Sequence, residues 1–230
     1  MSFETLAPHY TWMEKVLAGG RLQRSRTAWL NELAGCKRIL IAGVGHGHFL
    51  RVCAQRFPQA HFVSVDESDG MLAHARRGFE DDPRFSFIHA SLPRWRPAPR
   101  SFDAVATHFF LDCFPPEELR EVVDSLANGL TDRARWLVTD FSVPASGWRR
   151  QRARAIHLAM YTFFRPVTGI RARRVTPPDA LLRHHGFELS GRTHRDWGLI
   201  QSDIWTRGSR ATCSGDGSMS ETTDNTDSHG

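Results

Sequence analysis

The stretch "RILIAGVGHGHFL", Arg38 to Leu50, runs five mostly aliphatic residues into three glycines spaced two apart. The aliphatic run is short and flanked by turn residues, the pattern of a strand buried on both faces. "FLRVCAQRF" follows, with Phe49, Val52, Cys53 and Phe57 on one helical face and Pro58 as a stop. A buried strand, a glycine turn and an amphipathic helix make the first half of a βαβ unit. A turn at Gly43, Gly45 and Gly47 permits positive φ and lets a ligand approach backbone N–H groups without interference from Cβ atoms.

The same alternation continues along the chain. "HFVSVD" is a second strand, "DGMLAHARRGF" a helix, "RFSFIHA" a third strand and "FDAVATHFF" a fourth. A helix with Leu119, Val122, Val123, Leu126 and Leu130 inward precedes a fifth strand, "RWLVTDF". Thr176 reads as an N-cap with Pro177 at the first helical position and Gly186 as the stop. "FELSGR" and "GLIQSDIWTR" close the pattern as two strands with no room for a crossover, hence an antiparallel hairpin at the sheet edge. The expected fold is α/β: a Rossmann-like, seven-stranded, mostly parallel sheet with helices on both faces.

Composition fits one globular domain. The 230 residues are 40% hydrophobic and 24% charged, ordinary values for a chain able to bury a large core. No run of 18 apolar residues exists, and "MSFETLAPHY" lacks an apolar signal core, so neither a spanning helix nor a secretory peptide is expected. Four scattered cysteines without CxxC pairs suit a reducing cytoplasm. No metal site is expected, since His46-x-His48 has no nearby ligand set. Residues 208–230 hold Arg210 against Asp216, Glu221, Asp224 and Asp227, a net charge of −3, so the body carries +8 where the whole chain carries +5. With little to bury, that tail is expected to be disordered. The organisation expected is an N-terminal helical cap at 1–34, a main domain at 35–207 with a helical cap insertion about 147–175, and the tail.

In such sheets ligands bind beyond the carboxyl ends of the strands, beside the first one. Twenty-three residues after Gly43 the second strand ends in Asp66, placed to accept hydrogen bonds from ribose hydroxyls. The two marks together indicate an adenosine-containing ligand. A dinucleotide fingerprint needs glycine where His48 stands, and the spacing here is GxGxG.

That spacing resembles motif I of the class I S-adenosylmethionine-dependent methyltransferases. "VSVDESDGML" is similar to the family's second-strand motif, "FDAVATHFFLDCF" to its fourth-strand motif and "HGFEL…GLIQSDIW" to its closing hairpin. The resemblance implies S-adenosyl-L-methionine as cofactor, on Gly43, Val44, Gly45, His46 and Gly47. It places Asp66, Glu67 and Ser68 at the ribose, Met71 near the adenine, and Ser91, Leu92, Thr107 and His108 on the remaining wall. Two departures stand out: Ile41 occupies the place of an acid that meets the methionine amino group, and Ser91 that of an aspartate at the adenine amine. "LAPHYTWMEKVLAGGRLQRSRTAWL" is similar to the cap of the ubiquinone/menaquinone C-methyltransferase-like branch, with Tyr10 near cofactor and acceptor.

Methyl transfer is an in-line displacement, so the protein mainly aligns donor and acceptor and excludes water. A phenol or ring-carbon acceptor also needs a base. His108 and Asp112, at and just past the fourth strand, are the catalytic candidates, with Tyr10 beside them. "THFFLDCF" lacks the N/D-PP-Y/F signature of amino methyltransferases, and Cys113 lacks the preceding proline of a Pro-Cys nucleophile. A small apolar or aromatic acceptor at carbon or oxygen is therefore expected. A catalytically silent adenosyl-ligand-binding protein is the alternative, and a nicotinamide oxidoreductase a third. "GWRRQRARAIHLAMYTFFRPVTG" places Arg149, Arg150, Arg152 and Arg154 before Ile156, Met160, Phe163 and Phe164 at helical spacing, and Arg171 to Arg174 add charge. The segment reads either as a solvated arginine face or as a cap touching an anionic membrane and admitting a lipid-like acceptor. Nucleic acid is disfavoured, because the arginines lack interleaved stacking aromatics. Oligomeric state leaves no mark in the sequence.

Overall fold

The computed structural model describes residues 20–168, 172 and 175–208, without the side chains of 159–168. The calls at Tyr10, Arg171, Arg173, Arg174 and on the tail beyond Gly208 lie outside the described residues, as do the side chains of Met160, Phe163 and Phe164.

A seven-stranded sheet runs in the order β3-β2-β1-β4-β5-β7-β6. The strands are β1 (Arg38–Ala42), β2 (His61–Asp66), β3 (Phe85–His89), β4 (Phe102–His108), β5 (Leu130–Phe141), β6 (Phe187–Arg195) and β7 (Ile200–Arg207). β1 to β5 are mutually parallel, and β7 pairs antiparallel with both β5 and β6. Chain order departs from spatial order between β1 and β4, which puts the switch-point crevice beyond their carboxyl ends.

Alternation along the central strands fills both faces. Leu40, Ala42, Val105, Trp136 and Trp205 pack on one side, together with α4 (Pro116–Asn128) and α6 (Asp179–His184). Ile39, Ile41, Ala104, Ala106 and Leu137 pack on the other, with α2 (His48–Arg56) and α3 (Asp69–Arg76). Successive residues of one strand serve opposite cores because side chains alternate at period 2. In α4 the expected stripe Leu119, Val122, Val123 and Leu126 is fully buried, about 1.5–3 kcal/mol for each side chain. Leu130 is buried as well but opens β5, since the helix stops before Gly129. The Thr176 cap is a correction. α6 starts at Asp179 with Pro178 at its N-cap, and no described residue bonds the Thr176 hydroxyl. Pro177 and Pro178 offer no N–H, so a cap at Thr176 would have had little to satisfy. Gly186 does end that helix, at φ +78°.

α1 (Gly20–Arg26) is tied to the sheet. The Ser25 carbonyl accepts from Thr139 Oγ1 at 3.3 Å and Ser202 Oγ at 3.0 Å, and Trp29 Nε1 donates to the Ser202 carbonyl at 2.9 Å. α5 (Gly147–Thr168) follows β5 and carries no acid in its first turn. Among the described residues no helix is long and apolar enough to cross a membrane.

Candidate functional site

Each glycine of the β1–α2 turn answers to a different neighbour. A Cβ on Gly43 would overlap Cδ2 of Phe110 and stand 3.0 Å from its Cγ, and one on Gly47 would stand 2.9 Å from Ala75 Cα. These two positions are dictated by packing. At Gly45, with φ +52°, no atom of the described residues lies within 4 Å of an added Cβ. That residue borders a cleft of about 240 Å³. The turn is held from behind: the Gly45 N–H donates to Asp66 Oδ2 at 3.1 Å, and Arg51 donates to the His46 carbonyl at 2.7 Å.

Asp66 ends β2 with a second bond, from the Ser68 N–H to Oδ1 at 3.0 Å. Its carboxyl sits above the usual range because burial outweighs the N–H groups pointing at it. Ser68 N-caps α3, its hydroxyl accepting from the Met71 N–H at 3.3 Å. Ser91, where an aspartate was expected, donates its hydroxyl to Glu67 Oε2 at 3.2 Å. A carboxylate therefore reaches this end of the cleft from Glu67.

The cleft wall brings together most of the residues singled out from sequence: Gly43, Val44, Gly45 and His46 from the turn, Asp66, Glu67, Ser68 and Met71 after β2, then Ser91, Leu92 and His108. Three are not on it. Gly47 faces Ala75. Thr107 is fully buried, its hydroxyl accepting from Trp136 Nε1 at 2.9 Å on the opposite face of the sheet. Asp112 is buried beyond the wall, its carboxylate receiving the Phe141 N–H and the Cys113 thiol at 3.7 Å.

His108 ends β4 with its ring edge-on to Phe49 at 4.3 Å between centroids. Burial, and secondarily the Arg26 guanidinium, push it down to about 3, so the imidazole is neutral across the physiological range. Among the described residues nothing bonds its Nε2. Asp112 has its carboxyl pushed up to about 6 by burial. Asp140 lies still further above its ordinary value, through burial and then the Asp112 charge. Asp140 Oδ1 accepts the Phe110 N–H at 3.0 Å and so fixes the turn that presents Phe110 to the cleft. Phe109 enters that turn at φ +53°.

Sequence reasoning passed over Arg26, Phe110, Phe114 and Glu118, which also line the cleft. The Phe109–Phe114 run past β4 could have been read as a wall, since residues at that strand end face the crevice. Arg26, stacked over Phe109 at 5.1 Å, comes from the cap helix and leaves no local pattern.

A model described as "Methyltransferase domain" matches residues 39–133. The ubiquinone/menaquinone biosynthesis C-methyltransferase of Syntrophotalea carbinolica is 29% identical over 147 residues, 63% of this chain and 61% of that protein. The demethylmenaquinone methyltransferase of Clavibacter sepedonicus is 31% identical over 144 residues, 62% of this chain and 57% of that protein. The chain thus spans about three fifths of the length of these curated relatives. Among solved structures, the Burkholderia thailandensis 1,6-didemethyltoxoflavin-N1-methyltransferase, bound to 1,6-didemethyltoxoflavin and S-adenosylhomocysteine, superposes with a TM-score of 0.64 at 15% identity. It covers 90% of this chain and 85% of that one. At that identity the likeness establishes the fold.

Proposed function

We propose that this chain, which carries a methyltransferase domain on the class I S-adenosylmethionine-dependent fold, transfers a methyl group to a small apolar or aromatic acceptor at carbon or oxygen. The observation that carries the reading is the glycine turn braced on Asp66, with the space over Gly45 clear of the described residues beyond the carboxyl ends of β1 and β4. A nicotinamide dinucleotide would need a glycine at His48, which is instead the first residue of α2.

The residues fit the cofactor. Asp66 has lone pairs left for two ribose hydroxyls after taking the Gly45 and Ser68 N–H groups. Met71 and Leu92 would flank the adenine, and Glu67, aligned by Ser91, would accept from its amine. When bound, S-adenosyl-L-methionine supplies an electrophilic methyl on a sulfonium. The protein's part is to orient the acceptor, exclude water and take up the acceptor's proton. His108 is assigned that proton: its neutral Nε2 faces no described partner, and an oxyanion forming opposite would raise its basicity from the value burial imposes. Phe109, Phe110 and Phe114 give the acceptor side an apolar wall. Asp112 acts as a positioning residue, since its carboxyl is buried among Phe141 and Cys113. Tyr10 is assigned to the acceptor side by resemblance alone.

A lipid-like acceptor and peripheral contact with an anionic membrane belong to the same proposal, supported by the apolar wall and the arginines of α5; cytoplasmic residence rests on the free, scattered cysteines. Calorimetry with adenosylmethionine, adenosylhomocysteine and NADH is the test, paired with labelled-methyl transfer to phenol and quinol acceptors. Tight binding of both adenosyl ligands with transfer lost in His108→Phe is expected. Binding without transfer to any acceptor would favour the silent adenosyl-binding alternative, and preference for NADH would overturn the reading.

A further inference from the structure

Four large apolar side chains are exposed among the described residues: Val143, Trp148, Leu158 and Trp197. Val143, Trp148 and Trp197 meet where the β5–α5 link faces the β6–β7 turn, and Leu158 stands further along the outer side of α5. Trp148 and Trp197 are 60% and 54% exposed, yet their ring centroids lie 6.2 Å apart. Trp148, Gln151, Ala155 and Leu158 fall within one exposed stripe of α5, opposite the buried Ala153 and His157.

The turn is built to hold Trp197 outward. Asp196 and Trp197 have φ of +51° and +54°, a left-handed pair without glycine. Arg152 donates to the Asp196 carboxylate at 3.3 and 3.4 Å and stacks over the Trp197 ring at 4.9 Å. Arg21 reaches the same carboxylate at 3.7 Å, and Ser142 Oγ donates to the Gly198 carbonyl at 2.6 Å. Strained backbone, clamped from two sides, ends in an indole left in water.

The surroundings are mainly basic. Between Asp140 and Leu158 the sequence has four arginines and no acid, and the acid of the turn, Asp196, is paired with Arg152 and Arg21. Arg149, Arg150, Arg154 and Arg195 are exposed, with Arg149 5.9 Å from the Trp148 ring and Arg195 two residues from Trp197. The corner also shares a rim with the cleft. Ile200, which follows the turn, pairs with Phe141, and Thr139, two residues earlier in β5, pairs with His108. Phe141 in turn contacts Phe109 of the cleft wall, 5.1 Å between centroids.

We propose that the Trp148–Trp197 corner docks on an anionic lipid surface, so that the cleft rim faces the bilayer from which an apolar acceptor is taken. The orientation rests on the apolar-acceptor reading above; the docking itself does not. Amphipathic indoles sit at headgroup depth while arginines meet lipid phosphates. Charge complementarity excludes a second copy of the same face. Nucleic acid would account for the arginines and indoles but leaves Leu158 and Val143 unserved.

The test uses the full chain without cofactor or acceptor. It is sedimented with phosphatidylcholine vesicles, with and without phosphatidylglycerol, at low and high salt, and brominated lipid serves as a tryptophan quencher. Salt-sensitive binding to the anionic vesicles alone is expected, with quenching that disappears in W148S/W197S. R149Q/R150Q/R154Q should weaken binding by roughly fivefold for each arginine. Both variants should keep wild-type melting temperatures and adenosylmethionine affinity, which separates this proposal from the methyltransferase reading. No binding to anionic vesicles at low salt would overturn it. So would unchanged vesicle binding in W148S/W197S, or retention on single-stranded nucleic acid in place of vesicles.

Discussion

Replacing Gly45 by alanine separates what the glycine turn does for a ligand from what it does for the fold. Alanine at φ +52° pays the left-handed penalty, about 1 kcal/mol, which lowers the melting temperature by about 2–4 °C in a chain of this size. Nothing more is lost in the fold, because the added methyl meets no atom of the described residues within 4 Å. Gly43→Ala meets the same backbone penalty and drives its methyl into the Phe110 ring, adding about 1–3 kcal/mol of overpacking. Ligand binding should rank differently. A methyl at Gly45 projects into the cleft and forces a bound adenosylmethionine off the backbone N–H groups, at about 0.5–1.5 kcal/mol per bond lost plus the displaced contacts. Two or three such losses, about 1–4.5 kcal/mol, amount to roughly 5-fold to 2,000-fold in Kd. Scanning fluorimetry gives the stability arm and calorimetry with adenosylmethionine and adenosylhomocysteine the binding arm. Gly45→Ala with wild-type affinity and a small stability loss would refute the assignment of this loop as the cofactor cradle.

Asp66→Asn should weaken adenosylmethionine by about 1.5–3 kcal/mol, the scale of hydrogen bonds to a charged acceptor, and should loosen the turn because one of the two N–H groups it receives loses its partner; a loss seen for NADH but not for adenosylmethionine would contradict the assignment. The buried Asp112 and Asp140 carboxyls both titrate above their unfolded values, so the native state holds protons that the unfolded chain has already released. The contribution of this pair to stability should therefore be fully present below about pH 4, fall as pH rises through about 6, and remain lower above it. Asp140→Asn keeps an oxygen for the Phe110 N–H and should flatten that decline in melting temperature between pH 5 and pH 8; identical pH profiles for the two proteins would show that the pair does not share the burden.

Much of the architecture is local in origin and was legible as such. Short aliphatic runs alternating with helical periods and punctuated by glycine and proline specify the five parallel strands and the closing hairpin, because side-chain period and turn sterics act over a few residues. The glycine turn and Asp66 were legible for the same reason: one ends a strand in residues that tolerate positive φ, the other ends the neighbouring strand of a parallel pair. Helix limits were legible only to within a few residues, as Thr176 and Leu130 show, since competing caps differ by little. The composition of the cleft was another matter. Thr107 and His108 are adjacent and equally polar, and strand alternation requires that they point to opposite faces, but it does not say which. The Trp136 indole, 29 residues away, takes the Thr107 hydroxyl and leaves His108 to the cleft. The same holds for Glu67 reached through Ser91, for Arg26 over Phe109, for Asp112 set against Asp140, and for Trp197 held out by Arg152. Each depends on a partner more than 20 residues distant in sequence, and only closure of the sheet brings such partners within hydrogen-bonding or stacking range.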